Sequence, residues 1–383
     1  MNTRQAHDLQ THRNLSLARA WMLIAIPSLV GLALAAAVSV WILFPKLGTG
    51  STDQDRKIAI GALLDAGFVP DAQDRRTLVC LGDSVSVAGL DAAAIELAAN
   101  DASSPRWRVL HLGINGCNRT GLDVIVPLVA RAKPDAACVL LIPESVVEPF
   151  PLPVDSAYAY NLGGFVAAWP DGWMDSPRPG ISADAMAGLR ASAFSATLHF
   201  RNAPQTAVNL GLRARFRSGI RPPRFDDWVA PFELVQSISG ATLEGHLRQI
   251  ATETVAKASG GTELHEQDLE RDLMELRRAG VYLVLVAGPI HPELRAALSP
   301  YAERVRVVCE RVLNATIEKP SADAGALSSV GIFLDASNAL TAEDFADALH
   351  PNASGRAKLS QLIGAGLAQV DQDTAQPSSS TRD

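Results

Sequence analysis

Five short apolar runs punctuate the chain, at 77–81, 108–112, 138–142, 281–287 and 330–334, each close to a turn signal. They are continuous rather than alternating, the pattern of strands buried on both faces. Helical patterns separate several of them. One covers 91–99, and Leu269, Leu273 and Leu276 recur at helical spacing just before Gly280, which predicts a helix stop there. Alternation of this kind predicts a doubly wound α/β domain around a five-stranded parallel sheet. Ligands of such sheets lie beyond the carboxyl ends of the strands, so the residues directly after each run matter most.

One apolar stretch is of another kind. Residues 21–44 carry no charge, enough to cross a bilayer with some tilt, with Trp21 at one end and Trp41 and Phe44 at the other. Arg4, Arg13 and Arg19 precede it against Asp8 alone, which places the N-terminus in the cytoplasm and the rest outside. A cleaved signal peptide is the rival, with Ala33 and Ala35 as a small-residue site, but cleavage there would leave Trp41 to Phe44 as an exposed apolar end. The expected organisation is a cytoplasmic tail (1–20), a transmembrane helix (21–44) and a linker (45–74) with a short helix around 57–66. An extracytoplasmic domain (75–370) and a disordered polar tail (371–383) follow. Residues 148–240 interrupt the domain between the third and fourth strands. The second half of this helical insertion carries Arg190, Arg201, Arg213, Arg215, Arg217, Arg221 and Arg224, either as a solvated face or as a docking surface for an anionic polymer, headgroup or partner.

The net charge of −7 and the lack of a basic tract with interleaved aromatics argue against a nucleic-acid partner. Cys80, Cys117, Cys138 and Cys309 form no CxxC pair, so no zinc site is expected; outside the cytoplasm a disulfide stays open, and the sequence assigns none. Cys80 and Cys138 sit in apolar runs as small hydrophobes. No histidine–carboxylate cluster suggests a catalytic metal, and no cofactor is expected.

Two strand ends carry candidate chemistry. Gly82-Asp83-Ser84 follows the first run and opens a helix, where a nucleophilic hydroxyl meets the N–H groups of a helix N-terminus. The same triplet is also ordinary N-cap chemistry. Asp347-Ala-Leu-His350-Pro-Asn352 follows the last run, and a carboxylate three residues before a histidine can fix its tautomer while the other ring nitrogen faces a hydroxyl. With all strands parallel, both groups reach the same edge of the sheet. After the second run, Leu112-Gly113-Ile114-Asn115-Gly116 offers glycines that let a backbone N–H approach an oxyanion. Asn115, and His291 after the fourth run, are candidate substrate contacts. Asp335 could stand in for Asp347 but has no histidine at useful spacing.

Together, Val79-Cys-Leu-Gly-Asp83-Ser84, Gly116 and Asp347-Ala-Leu-His350-Pro-Asn352 resemble the blocks of the SGNH/GDSL hydrolase superfamily, over about 77–118 and 281–368. The resemblance implies the flavodoxin-like fold of that superfamily. It assigns Ser84 as nucleophile, His350 as base and Asp347 as its orienter, with the N–H groups of Ser84 and Gly116 in the oxyanion hole. After the third strand the family usually has Gly-x-Asn-Asp, whose Asn donates to the oxyanion; this chain has Ile142-Pro143-Glu144-Ser145, with Ser145 as the candidate replacement. The missing Asn, the single anchor and the outside domain also resemble D-alanyl transfer and alginate acetylation proteins. That likeness implies a membrane-bound O-acyltransferase as partner and a cell-surface glycan or related polymer as acceptor. Acyl transfer through Ser84 is therefore the leading expectation. The alternatives are hydrolysis of esters on the same class of substrate and a catalytically weak docking subunit.

Overall fold

The computed structural model describes residues 25–31, 34, 60–61, 63–64, 67–68, 75–100, 106–114, 119–146, 237–258, 263–316 and 331–375. The chain divides into two units, Met1–Gly48 with Arg190–Ile220, and Thr49–Leu189 with Arg221–Asp383. Of the first, 25–31 and 34 are described; they are helical and exposed. No helix among the described residues is long and apolar enough to cross a membrane. The expected 21–44 span lies mostly outside them, as does almost all of the 148–240 insertion.

The second unit is built on five strands, β1 (Arg76–Leu81), β2 (Trp107–His111), β3 (Ala136–Leu141), β4 (Tyr282–Ala287) and β5 (Gly331–Asp335), within a residue or two of the apolar runs. All pairings are parallel, in the order β2-β1-β3-β4-β5. The seven helices named here are α1 (Ser84–Gly89), α2 (Ala92–Ala99), α3 (Arg119–Ala132), α4 (Gly240–Ala258), α5 (Glu263–Arg278), α6 (Arg295–Asn314) and α7 (Ala353–Ala375).

Alternate strand residues feed two cores, as a period of two requires. Val79 and Leu81 of β1, Val139 and Leu141 of β3 and Leu283 and Leu285 of β4 pack with residues of α3, α5 and α6. Leu78 and Cys80, Cys138 and Leu140, and Val284 and Val286 pack on the other face with α1, α2 and α7. Cys80, Cys138 and Cys309 are free and buried. Both faces covered explains why the strands read as unbroken apolar runs. Leu269, Leu273 and Leu276 are buried as their spacing requires, and Gly280, at φ 85°, ends α5. The Val281 and Gly280 N–H groups donate to the Leu276 and Arg277 carbonyls, closing a Schellman turn.

The strand order reverses between β1 and β3, since β2 lies on one side of β1 and β3 on the other. A crevice opens outside the carboxyl ends of the two strands at such a switch point. Ser84 lies three residues beyond β1.

One boundary needs correction. The tail was expected to be disordered from Asp371, but α7 continues to Ala375. Gln372, Asp373 and Thr374 are polar yet compatible with a helix, and the first strong breaker is Pro377, so polarity alone misplaced the end.

Candidate active site

The turn from β1 into α1 is shaped by Gly82. Its φ is +147°, and a Cβ there would lie 2.7 Å from Cβ of Ser86 and 3.2 Å from the Leu140 carbonyl oxygen, so only glycine fits. Asp83 then caps α1, its carboxylate accepting the Val85 N–H at 2.9 Å. The Val87 N–H goes to the Asp83 carbonyl, whereas the Ser84 N–H has no acceptor among the described residues. Ser84 thus stands at a helix start with one free donor beside its hydroxyl.

The loop after β2 follows the same turn. Leu112 donates its N–H to the Cys80 carbonyl at 2.8 Å and Ile114 to that of Gly82 at 3.0 Å. His111 is buried, with Nε2 3.1 Å from the Ser86 carbonyl oxygen and 3.3 Å from Ser86 Oγ. A carbonyl only accepts, so Nε2 carries the proton. Gly113 passes so close that a Cβ there would lie 2.8 Å from His111 Cε1. Asn115 and Gly116 lie outside the described residues, but the segment leading to them is bonded to the turn that carries Ser84.

The opposite wall is the loop before α7. His350 Nε2 lies 2.9 Å from Ser84 Oγ, across 266 residues of sequence. Its Nδ1 is 2.8 and 3.1 Å from the two carboxylate oxygens of Asp347. The carboxylate accepts, so Nδ1 carries the proton and Nε2 is left to accept from the serine. Asp347 is buried and also accepts the backbone N–H groups of Leu349 and His350, both at 2.8 Å. Burial raises its pKa, but the His350 ring and these two N–H groups outweigh it and hold the carboxyl down at about 2. Asp347 is therefore ionised at neutral pH. Asp335 serves elsewhere: its carboxylate accepts the Ser337 N–H at 2.9 Å in the turn after β5.

Several residues that fix this geometry carry no signal in sequence. Asp344, buried, accepts from the Thr341 N–H and hydroxyl, Ser354 Oγ and Lys358 Nζ, at 2.7–3.0 Å. It thereby ties the His350 loop to the first turns of α7. Arg356, also buried, donates from Nε to the Ala88 carbonyl at 2.7 Å, tying α7 to the end of the serine helix. Its Nη2 is buried without a partner among the described residues. Beside it, a Cβ on Gly89 would lie 3.1 Å from Pro351 Cγ, so the serine helix ends directly on the residue after His350. An N-cap pattern could have marked Asp344, since Thr341 and Asp344 form a capping box, but not its bond to Lys358.

Pro143–Val146 form a single 3-10 turn, in which Ser145 Oγ accepts the Ile142 N–H at 3.1 Å. Its own O–H remains available to donate. His291 is buried after β4; its Nδ1 accepts the Glu293 N–H at 3.3 Å, and its ring meets Phe345 edge-on at 5.1 Å. Burial and nearby Arg295 lower its pKa, against Glu293, so the ring is neutral with its proton on Nε2.

Among the described residues no group of histidine, cysteine and carboxylate side chains could hold a metal ion. No protein-family model matches the chain, and neither does any curated protein. A hydroxyl, an imidazole whose Nε2 faces that hydroxyl, and an ionised carboxylate on the other ring nitrogen can deprotonate the serine as it attacks a carbonyl.

Proposed function

We propose that this chain is an extracytoplasmic serine acyl-transfer enzyme of the SGNH type, anchored in the membrane by 21–44. The observation that carries the reading is the 2.9 Å approach of His350 Nε2 to Ser84 Oγ, with Asp347 on the far nitrogen. Ser84 Oγ attacks the acyl carbonyl while His350 takes its proton. The tetrahedral oxyanion is held by the Ser84 N–H, with Gly116 and the Ser145 hydroxyl as further donors. Collapse breaks the bond to the donor's leaving group, which takes the proton from His350, and leaves the acyl group esterified to Ser84. An incoming hydroxyl of a cell-surface polysaccharide or related polymer then reverses these steps, with His350 again the base. Water in its place makes the same site an esterase. A membrane-bound O-acyltransferase is the proposed acyl source. The uncharged, apolar run 21–44 with Trp21, Trp41 and Phe44 at its ends supports the anchor.

The test uses the full-length protein in membranes and a fluorophosphonate probe. The wild type should label at Ser84, and Ser84→Ala should abolish labelling and polymer acylation at an unchanged protein level. Ser84→Ala that keeps full acylation in the cell would exclude catalysis here and leave a docking subunit.

A further inference from the structure

The loop that carries His350 is a closed ring, and one side chain locks its base. Ala346 donates its N–H to the His350 carbonyl at 2.8 Å, Phe345 faces Pro351 as an antiparallel pair, and the Asn352 N–H meets the Asp344 carbonyl at 2.8 Å. The Asn352 side chain works on both sides of that base. Its Nδ2 donates to the carbonyls of Glu343 at 2.6 Å and Phe345 at 3.4 Å, so this residue holds three successive carbonyls of the incoming arm. Its Oδ1 accepts the N–H groups of Ser354 at 2.9 Å and Gly355 at 3.2 Å, which caps α7. Carbonyls only accept and N–H groups only donate, so the amide has one orientation.

The helix that Asn352 caps is itself fixed to the serine wall. Arg356, in its first turn, donates to the Ala88 carbonyl near the end of α1. A Cβ on Gly355 would overlap the Asp344 carbonyl oxygen, so the start of α7 lies directly on the loop. We propose that Asn352 is a positioning residue that passes the docking of α7 on α1 to His350 and so sets the imidazole within reach of Ser84. The proposal rests on the reading of His350 as base and adds a residue that acts through it. The role needs a donor and an acceptor on one short side chain, which asparagine supplies. Aspartate keeps the acceptor and offers no donor. A serine hydroxyl, one bond shorter, caps α7 without reaching the carbonyls of Glu343 and Phe345.

The experiment compares wild type, Asn352→Asp and Asn352→Ser as full-length proteins in detergent. It reads the maximal rate and the half-saturating concentration of fluorophosphonate labelling at Ser84, together with denaturant unfolding. Both variants keep a cap on α7, so both should fold and unfold cooperatively. The maximal labelling rate should nevertheless fall by about tenfold to a hundredfold, with the half-saturating concentration held, because the base is misplaced while probe binding is not. In a His350→Ala background the same substitutions should cost nothing further, since residues that act as one unit are not additive. A wild-type rate in either folded variant overturns the role of Asn352 and leaves the acyl-transfer reading standing. A further loss in the His350→Ala background, or loss of the fold in both variants, does the same. Wild-type protein that does not label at Ser84 overturns the acyl-transfer reading, and the role of Asn352 falls with it.

Discussion

The two walls of the site are built by different means. The serine wall is fixed chiefly by close backbone approaches, Gly82 at positive φ and the segment around Gly113 bonded to the Cys80 and Gly82 carbonyls, with a one-residue side-chain cap from Asp83. The histidine wall is fixed by two buried carboxylates, Asp344 and Asp347, which between them gather N–H, hydroxyl and ammonium donors. Steric change should therefore break the first wall and charge change the second.

Four experiments press on that contrast. The largest effect is expected from Asp347→Asn, which removes the group that fixes the imidazole tautomer; kcat should fall by about 10⁴ with folding retained at neutral pH. Steady-state kinetics with far-UV circular dichroism would check both halves, and loss of fold with loss of rate would mean that the carboxylate is structural. Gly82→Ala should act the other way round. The added methyl meets Ser86 and the Leu140 carbonyl, so denaturant unfolding should show a loss of about 3 kcal/mol or more.

Acid should attack the histidine wall selectively. Asp347 is held at about 2 against an ordinary value of 3.8, and Asp344 is held below the ordinary range by Lys358, Thr341 and Ser354 against the opposing effect of burial. Carboxyls depressed in the folded state contribute stability that is complete above their unfolded value. That contribution declines as pH falls below about 4 and is exhausted once pH passes through the folded values. Unfolding followed from pH 5 to 2 should steepen in this window, and Asp344→Asn should flatten it; an unchanged slope would put the acid sensitivity elsewhere. The smallest effect belongs to Ser145→Ala. A lost auxiliary donor to the oxyanion should lower kcat by about tenfold, less than loss of a principal donor, with KM little changed. A Ser145→Ala enzyme at the wild-type rate would remove that hydroxyl from the oxyanion hole.

The contrast also explains what could be read from sequence. The sheet was legible because strands covered on both faces are apolar throughout, and Gly280 marks its helix end by a backbone need that few other residues meet. Ser84, Asp347 and His350 were legible because parallel strands bring their carboxyl ends to one edge, so that place in the chain stood for place in space. Arg356 and Asp344 were not. Arg356 acts through α7 docking against α1, a contact between segments more than 260 residues apart, and Asp344 through a bond to Lys358 that forms only when its loop folds back on α7. Arg356 carries no local pattern that distinguishes it from a solvated charge, and the capping box that marks Asp344 does not foretell its bond to Lys358. The Asp371 boundary failed for a simpler reason, since polarity describes solvent exposure and not backbone conformation.

The bond between Ser84 and His350 also has a meaning in time. Ribosomes make the chain from its N-terminus, so the serine and its glycine turn exist long before the segment that activates them. Until the helix Ala353–Ala375 has been made and has closed on the serine helix, Ser84 is an ordinary alcohol with no base. His350 therefore reaches Ser84 only once the loop before this helix has docked. A nascent or truncated copy that lacks this segment would leave the Ser84 hydroxyl without its imidazole partner.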